Sequence, residues 1–407
     1  MNRGLNIAFL GGLFPEHLEK EVLQNSRGDI QYAASNLQWA IIKGLDQVSD
    51  KPVHICTVML LGSWPGGFNK LIIPTENFSH FSGASDTSYG FFNFRGISII
   101  SRFCAAKRGI FRWCRNTQGE KAIICYSAHT PHLLAAAMAR KRFSVKHLCL
   151  VVTDLPELMS DKKNLLYRFM KRIDGYVIRR SMKFVDSFVL LAPDMANRLP
   201  IENRKSICME GIFDTEMIEN IDVKKDSKKV VLYAGILELR HGLATLIEAF
   251  GMISEPGHEL WICGDGNDRE EILGLIKNDD RIKYLGLVDR RTVLNLQRRA
   301  RVLVNPRPSR GEFTRYSFPS KTLEYMASGT PVIMNRLSSV PGEYFKYCFV
   351  PETEDAAGLK DAILKVTSLS DRELEEFGMK ARKFITENKN PHVQGSKIYN
   401  LITSHDA

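Results

Sequence analysis

One short stretch, residues 317–333 with the sequence SFPSKTLEYMASGTPVI, combines groups that bind an anion with a carboxylate. Pro319 suits the first turn of a helix, and Gly329 suits a left-handed cap at its end, before an apolar strand. The helix start is therefore predicted to point free amide N–H groups, from about residue 320 to 322, out of the sheet end, where they can bind an anion. The side chains that add donors beside these amides are Ser320, Lys321 and Thr322.

Glu324 lies one helical turn beyond this predicted anion site. A carboxylate would repel a phosphate that touched it, but it can accept two hydrogen bonds from a vicinal diol. A phosphate at the helix start and a diol one turn along are the two ends of a nucleotide, with the diphosphate at the amides and the ribose at Glu324. The alternative is an early helical glutamate that only complements the helix macrodipole.

Basic side chains follow two further predicted strands in the same half of the chain. Residues 233–243, YAGILELRHGL, place Arg240 and His241 between two glycines, and residues 304–309, VNPRPS, place Arg307 after an apolar run. Arginine is a planar donor of several hydrogen bonds, so Arg240 can pair with a diphosphate. Because the carboxyl ends of parallel strands meet at one edge of a sheet, these groups are predicted to surround one ligand.

Glycines occur at the same predicted strand ends. Gly235 follows one strand, and the segment ICGDGND, residues 262–268, carries Gly264 and Gly266 in a turn that a nucleobase could approach. A single glycine turn is weak evidence, because most such turns are only tight connections.

The first half of the chain offers candidate residues of its own: an aspartate, a histidine and a pair of glycines. Asp154 follows the apolar run LCLVVT and can bind a sugar hydroxyl or act as a base, or else cap the next helix. His129, in CYSAHTPHLL, lies between a strand and a helix and is either catalytic or structural. Gly11 and Gly12 lack the spaced glycines of a dinucleotide site, which disfavours a dehydrogenase, and are predicted to let the backbone approach donor or acceptor.

Strand-like and helix-like segments alternate from end to end in two series. This pattern predicts an α/β protein with two Rossmann-like parallel-sheet domains facing across a cleft, which is the default ligand site. The first domain is predicted over residues 1–212, completed by a C-terminal helix at 388–407. The second is predicted over residues 213–387 and carries the nucleotide-binding groups.

Composition narrows the functional classes. Residues 100–185 contain 18 Lys and Arg against 5 Asp and Glu. This excess indicates either a set of solvated helix faces or contact with an anionic membrane surface, a phosphate-bearing substrate or nucleic acid. No nucleic-acid module signature is present, so nucleic acid is not an expected partner. Aromatic residues between the basic ones, in RGIFRWCR and LLYRFMKR, suit an amphipathic helix on lipid.

The cysteine spacing and the hydropathy of the chain indicate where in the cell the protein is expected. None of the eight cysteines has CxxC spacing, which favours small core residues in a reducing compartment. No run approaches the roughly 18 apolar residues of a spanning helix, and the N-terminus resembles a strand more than a signal peptide. The expected location is cytoplasmic, with peripheral attachment to the inner membrane face. No Asp-x-Asp pair or metal-spaced cluster occurs, so no metal and no cofactor are expected.

The ordered motifs YAGxL, LIEAF, WICGDG, IKYLGLV, VLVNPRP and FPSKTLEYMASGTPVI, over about residues 230–350, resemble the nucleotide-sugar half of the GT4-type retaining glycosyltransferases. These enzymes have the GT-B fold, and the likeness is closest to polysaccharide and capsule-assembly members. In the first half, NIAFLGGLFP and LVVTDLPELM are more loosely similar to the family.

The resemblance implies roles for individual residues. Glu324 matches the second glutamate of the Glu-x7-Glu signature and would hold the donor ribose, while Tyr316 stands where the first glutamate contacts the donor sugar. Phe318 belongs to the same donor-binding motif. Asp154 stands where the family often has a histidine that faces the donor sugar.

The basic loop departs from the family's Gly-Arg-Leu and Lys-Gly pattern. Ile236 replaces the arginine and His241 the lysine, and Arg240 is the candidate replacement. The resemblance thus implies metal-independent transfer of a sugar, with retention, from a UDP- or GDP-linked donor to a saccharide or lipid-linked saccharide in cell-surface polysaccharide synthesis. The alternatives are a partner subunit without turnover, for which Tyr316 argues, and a GT-B epimerase. The sequence assigns no oligomeric state.

Overall fold

Two compact units make up the chain in the computed structural model, which describes residues 4–28, 30–155, 165–201, 203–217 and 225–404. Unit 1 holds residues 1–191, 195–212 and 391–407, and unit 2 holds residues 192–194 and 213–390. The last residues of the predicted C-terminal helix lie outside the described residues, as do the residues that would follow Asp154 into a capped helix.

Unit 1 is built on an eight-stranded sheet in the order β10-β9-β8-β7-β1-β2-β5-β4. All neighbouring pairs are parallel except β4 with β5. The central strands are continuous apolar runs because helices cover both faces of the sheet. The strands are β1 Asn6–Gly11, β2 His54–Thr57, β4 Glu76–Phe78, β5 Asp86–Ser88, β7 Lys121–Tyr126, β8 His147–Val152, β9 Ser187–Leu190 and β10 Lys205–Cys208, with a separate antiparallel pair, β3 Ile72–Ile73 and β6 Phe91–Phe92.

The helices of unit 1 include one from the far C-terminus, α13. It packs against α2, and a Cβ on Gly395 would lie 2.2 Å from the carbonyl carbon of Gly44, so two glycines let the helix backbones touch. Ile398 and Ile402 of α13 are buried in the same core as β1. The helices are α1 Glu19–Asn25, α2 Tyr32–Asp46, α3 Ser98–Asn116, α4 Thr130–Arg142, α5 Leu165–Met182 and α13 Pro391–Thr403.

Unit 2 has a five-stranded, wholly parallel sheet in the order β13-β12-β11-β14-β15, with an apolar core on each face. Its strands are β11 Lys229–Ala234, β12 His258–Cys263, β13 Ile282–Gly286, β14 Val302–Asn305 and β15 Val332–Met334. Its helices are α6 Leu243–Gly251, α7 Arg269–Ile276, α8 Arg290–Arg299, α9 Glu312–Arg315, α10 Lys321–Ala327, α11 Ala356–Thr367 and α12 Asp371–Asn388.

These two sheets confirm the predicted α/β class with two Rossmann-like units. Gly329 has φ 79° and ends α10 in the left-handed conformation, as predicted. The helix itself begins at Lys321, two residues after Pro319, so Pro319 lies in the turn that precedes the helix. Because all strands of unit 2 are parallel, the segments that follow β11, β12 and β14 lie at one edge of the sheet.

Candidate functional site

Lys321 occupies the space above the end of β11. A Cβ on Gly235 would lie only 2.2 Å from the Lys321 Nζ atom, so glycine at this position makes room for the ammonium group. The Nζ atom lies 4.1 Å from the centre of the Tyr233 ring, which provides a cation–π contact. Burial, and then the nearby charge of Arg307, lower the pKa of Lys321 to about 7.

Two arginines complete a group that we call the cation cluster, Arg240, Arg307 and Lys321. The guanidinium groups of Arg240 and Arg307 lie 4.7 and 4.5 Å from the centre of the Phe313 ring. Arg307 is 4% exposed, and burial followed by the charge of Arg240 lowers its pKa to about 10. Arg240 is mostly exposed and pairs with Glu238. Within the described part of the chain, no carboxylate forms an ion pair with Arg307 or Lys321.

His241 lies beside the cation cluster and is neutral near pH 7. Burial, and then the charges of Lys321, Arg307 and Arg240, lower its pKa to about 4. It therefore adds a hydrogen-bonding group to the site without adding a charge.

Glu324 is held from two sides by helix α8. Gln297 donates a hydrogen bond from Nε2 to Glu324 Oε1, and Arg290 Nη2 lies 4.0 Å from Glu324 Oε2. Gln297 is fully buried, whereas the side chain of Glu324 keeps 28% of its surface exposed. One oxygen of the Glu324 carboxylate is thus fixed by a hydrogen bond, and the other is available to a ligand. Sequence reasoning missed both α8 residues, although their separation of seven positions indicates one helix face.

The start of α10 differs from the prediction. The Thr322 amide donates to the carbonyl oxygen of Pro319 at 2.8 Å, and the buried Thr322 hydroxyl accepts a hydrogen bond from Asn305 Nδ2 at 3.3 Å. The prediction of a free Thr322 amide was wrong, because a tight turn at Pro319 leads into the helix and uses that amide. Ser320 is exposed at the N-cap position and makes no capping hydrogen bond.

The glycines of the loop after β12 pack closely against the loop after β11. A Cβ on Gly264 would lie 1.9 Å from the Gly235 carbonyl oxygen, and one on Gly266 would lie 2.4 Å from the Leu237 carbonyl oxygen. The two loops therefore touch backbone to backbone, which accounts for glycine at both positions. The approach of a nucleobase to this loop stays a prediction.

Gly11 and Gly12 have a similar explanation. A Cβ on Gly11 would lie 2.2 Å from Gln38 Oε1, and one on Gly12 would lie 2.3 Å from Leu60 Cγ. Gln38 Oε1 also accepts a hydrogen bond from the Gly12 amide at 2.8 Å. Contacts with α2 and with the segment after β2 therefore account for glycine at both positions, and the approach of donor or acceptor to this backbone stays a prediction.

Two aromatic residues of the donor motif are buried. Phe318 is 8% exposed and belongs to a core of unit 2, where its ring lies 5.6 Å from that of Tyr344. Its predicted contact with the donor is not supported by this placement, since the side chain faces the core. Tyr316 is 5% exposed and has the Arg315 guanidinium 5.7 Å from its ring centre.

In unit 1, Asp154 and His129 follow neighbouring strands, β8 and β7, which pair in register at Tyr126 and Val151. The Asp154 side chain is exposed to solvent, and the protein atoms packed around it raise its pKa. His129 is the N-cap residue of α4, and burial, followed by the charge of Arg102, lowers its pKa to about 4. The structure thus brings a carboxylate and a neutral imidazole to one edge of the sheet.

Nothing in the described ranges gathers three or more His, Cys, Asp or Glu side chains in a way that could hold a metal ion. None of the helices in those ranges is long and apolar enough to cross a membrane.

Comparison with known proteins agrees with this architecture. Residues 228–368 match the sequence model of the family described as Glycosyl transferases group 1. This stretch holds the cation cluster and Glu324. No curated protein sequence matches the chain.

Several solved structures share the fold over the whole chain. Sucrose-phosphate synthase from Thermosynechococcus elongatus has a TM-score of 0.65 at 15% identity, with 97% of this chain and 98% of that chain covered. HepE from Anabaena in complex with UDP has a TM-score of 0.62 at 13% identity, covering 98% and 100%. The lipopolysaccharide outer core galactosyltransferase WaaB, in apo form, has a TM-score of 0.59 at 16% identity, covering 98% and 99%. Residues 228–368 thus match the glycosyl transferases group 1 family model, in a chain whose two Rossmann-like units have the GT-B fold.

Proposed function

We propose that this protein is a glycosyltransferase that moves a sugar from a nucleotide-diphosphate donor to a saccharide or lipid-linked saccharide acceptor. The observation that carries the proposal is the cation cluster, together with Glu324, which lies on the same helix as Lys321; all four residues are within the matched range. The match and the fold support sugar transfer, while the geometry of the cluster supports the class of donor.

The cluster would bind the donor diphosphate. Arg307 is buried and Lys321 half-buried, and within the described part of the chain neither forms an ion pair with a carboxylate, which is costly for a cation removed from water. A diphosphate would supply that charge and would gain hydrogen bonds from Arg240 and His241. The same cations would stabilise the charge that develops on the leaving nucleoside diphosphate, which is the basis for proposing a metal-independent reaction.

Glu324 would hold the ribose through its free oxygen. Gln297 fixes the orientation of the carboxylate, and the hydroxyl groups of a ribose would replace the long contact from Arg290. The Anabaena HepE structures contain UDP and, in one case, UDP with glucose, which supports a uridine nucleotide over a guanosine nucleotide as the first candidate.

Unit 1 would bind the acceptor. The pKa of Asp154 is raised, which makes its carboxylate a better base toward a sugar hydroxyl, while His129, whose pKa is lowered to about 4, is neutral near pH 7 and can take part in a hydrogen bond with a sugar hydroxyl. Retention at the anomeric carbon, hexosyl transfer and a role in cell-surface polysaccharide or capsule synthesis in the cytoplasm remain proposals that rest on the GT4 resemblance. Tyr316, buried where that family has a glutamate, is the observation that favours a partner subunit without turnover as the second candidate.

Calorimetric titration of UDP, GDP, ADP and dTDP into the wild type and Glu324→Ala tests the donor site. One nucleotide is expected to bind, and the substitution should weaken it roughly 10- to 150-fold, because a charged hydrogen bond contributes about 1.5–3 kcal/mol. Glu248→Ala, an exposed glutamate on α6, is the matched control and should change nothing.

If none of the four nucleotides binds to folded protein, unit 2 is not a working donor site. If one binds but the isolated chain shows no turnover with its sugar conjugates and saccharide acceptors, the partner-subunit function is preferred.

A further inference from the structure

Helix α5 of unit 1 exposes an apolar stripe to solvent. Phe169, Ile173 and Tyr176 are between 50% and 61% exposed, and their spacing of four and three residues places them on one helix face. Met170 extends the stripe. A surface helix of a soluble protein normally turns such a stripe toward its core, so this exposure calls for an explanation.

A second exposed apolar group lies where α3 begins. Ile72 of β3 stands opposite Phe92 of β6, and the Phe92 amide donates to Ser101 of α3, so the strand pair and the helix start form one surface. Phe94 stacks near Phe92, with ring centres 6.3 Å apart. The exposed apolar members of this surface are Ile72, Phe92, Phe94, Ile97, Ile99 and Ile100.

The topology places both groups on one side of the unit 1 sheet. Helix α3 precedes β7, α4 connects β7 to β8, and α5 connects β8 to β9. These strands follow one another across the sheet in one direction, so right-handed crossovers place the three helices on the same face of the sheet. Helix α4 packs against both neighbours. Each helix starts at the carboxyl edge of the sheet, so the two apolar groups, in the first part of α3 and of α5, flank that edge. We call this surface the α3–α5 face.

The α3–α5 face is also strongly basic. Helix α3 carries five Lys and Arg and no acidic residue, and α5 carries five against one acidic residue, Asp174, which accepts a hydrogen bond from Thr130. The exposed arginines of the two helices are Arg108, Arg112, Arg115, Arg168, Arg172, Arg179 and Arg180, and within the described ranges none of them pairs with a carboxylate.

We infer that the α3–α5 face docks on an anionic lipid bilayer. The centre of a protein–protein interface is poor in charge, whereas here exposed arginines flank each apolar side chain of α5. That mixture suits the interface of a bilayer, where apolar groups enter the acyl boundary and arginines reach phosphate groups. The inference extends the proposed function, because docking would bring a lipid-linked acceptor to the sheet edge that carries Asp154 and His129.

Flotation with vesicles tests this assignment. The wild type should bind phosphatidylcholine vesicles with about 30% phosphatidylglycerol at low ionic strength, and binding should fall in about 0.5 M salt. Phe169→Asp with Ile173→Asp, and separately Arg172→Glu with Arg179→Glu, should each weaken binding at least about tenfold, since two apolar or two basic contacts are lost. Because all four side chains are exposed, the variants should keep the wild-type circular dichroism and nucleotide affinity.

Leu275→Asp and Arg372→Glu, at exposed positions of unit 2, are the matched controls and should bind vesicles like the wild type. The inference is overturned if the wild type does not float with anionic vesicles, or if the α5 variants float as well as it does. It is also overturned if the α5 substitutions instead abolish a concentration-dependent dimer. Loss of nucleotide binding with intact flotation would count against the proposed function alone.

Discussion

Unit 1 and unit 2 each bury a cluster of ionisable side chains, and the clusters differ in how their charge is balanced. In unit 1, His80 lies between two carboxylates, with Nε2 2.9 Å from Asp46 Oδ2 and Nδ1 2.6 Å from Asp86 Oδ2. The other oxygens of these carboxylates accept the amides of Val53 and Ile55 at 2.7 and 2.8 Å. Every member of this cluster has its partners within the chain.

The cation cluster of unit 2 lacks that balance. Half-buried Lys321 and buried Arg307 lie close enough for each charge to act on the other, and the described residues supply no carboxylate that forms an ion pair with either of them. Since such an arrangement costs stability, the difference indicates that the His80 cluster stabilises the fold, whereas the cation cluster is expected to bind an anionic ligand.

Replacing His80 should destabilise unit 1 strongly. His80→Leu leaves two buried carboxylates without their cation, and breaking a buried pair in this way costs about 3–5 kcal/mol of unfolding free energy. Urea unfolding followed by tryptophan fluorescence measures it, since the Trp39 ring lies 6.2 Å from that of His80. His17→Leu, which removes a half-exposed pair with Glu76, is the control and should cost less than about 1 kcal/mol. Equal losses in the two variants would contradict the structural role of the cluster.

The same cluster should make stability depend on pH. Burial alone lowers the pKa of His80, but hydrogen bonds to Asp46 and Asp86 outweigh it and raise the pKa to about 9. A raised pKa in the folded state contributes stability that is complete below about pH 6.5 and is lost as the pH rises through about 9. The unfolding free energy of unit 1 should therefore fall over that window, and His80→Leu should lack this part of the decline. A wild-type profile that is flat from pH 6.5 to 9 would sink the prediction.

Gly235→Ala should remove the space for Lys321. Its Cβ would collide with Nζ, and φ 155° adds backbone strain, so nucleoside diphosphate affinity should fall about tenfold, or about 1.4 kcal/mol. Gly257→Ala is the control, because Gly257 has φ 83° and no atom near its Cβ position. Both variants should lose roughly 1 kcal/mol of stability, but only Gly235→Ala should lose affinity in calorimetry. Full affinity in Gly235→Ala would show that the placement of Lys321 is unimportant.

Gln297→Met should loosen Glu324 with a smaller effect. Without the hydrogen bond from Nε2 the carboxylate is no longer fixed, and UDP affinity should fall about fivefold, as expected for a contact of about 1 kcal/mol. The ratio of UDP affinity to 2′-deoxy-UDP affinity should fall as well, which a purely structural defect would not produce. Thr330→Val removes the hydroxyl that bonds the Gln297 carbonyl and should leave that ratio unchanged.

Much of the fold could be predicted because buried parallel strands are continuous apolar runs separated by helical segments. The strand ends before Arg240 and Arg307, and the helix start at Lys321, were predictable for the same reason. What the sequence does not reveal are contacts between distant segments, such as Lys321 above Gly235. The His80 cluster joins residues of three separate segments and leaves no local pattern.

The glycines show that one local pattern can have two explanations. Gly264 and Gly266 do mark a tight turn after β12, and the loop after β11 is a partner that needs the space. The start of α10 is a clearer case. A helix does start near Pro319, yet its first turn uses the Thr322 amide, so the chain itself fills a position that was predicted for a ligand.

Calorimetry with UDP and uridine on variants of two lysines of unit 2 tests the diphosphate site most directly. Lys225 donates to Ala300 O and Thr330 Oγ1 at 2.7 and 2.8 Å. Lys321 lies over the Tyr233 ring and feels the charges of Arg307 and, more weakly, Glu324, without an ion pair to either. Lys321→Met should weaken UDP at least about tenfold, with little change for uridine and no loss of stability, while Lys225→Met should lose stability and keep UDP affinity. If Lys321→Met binds UDP like the wild type, the cation cluster is not a diphosphate site and the central claim fails.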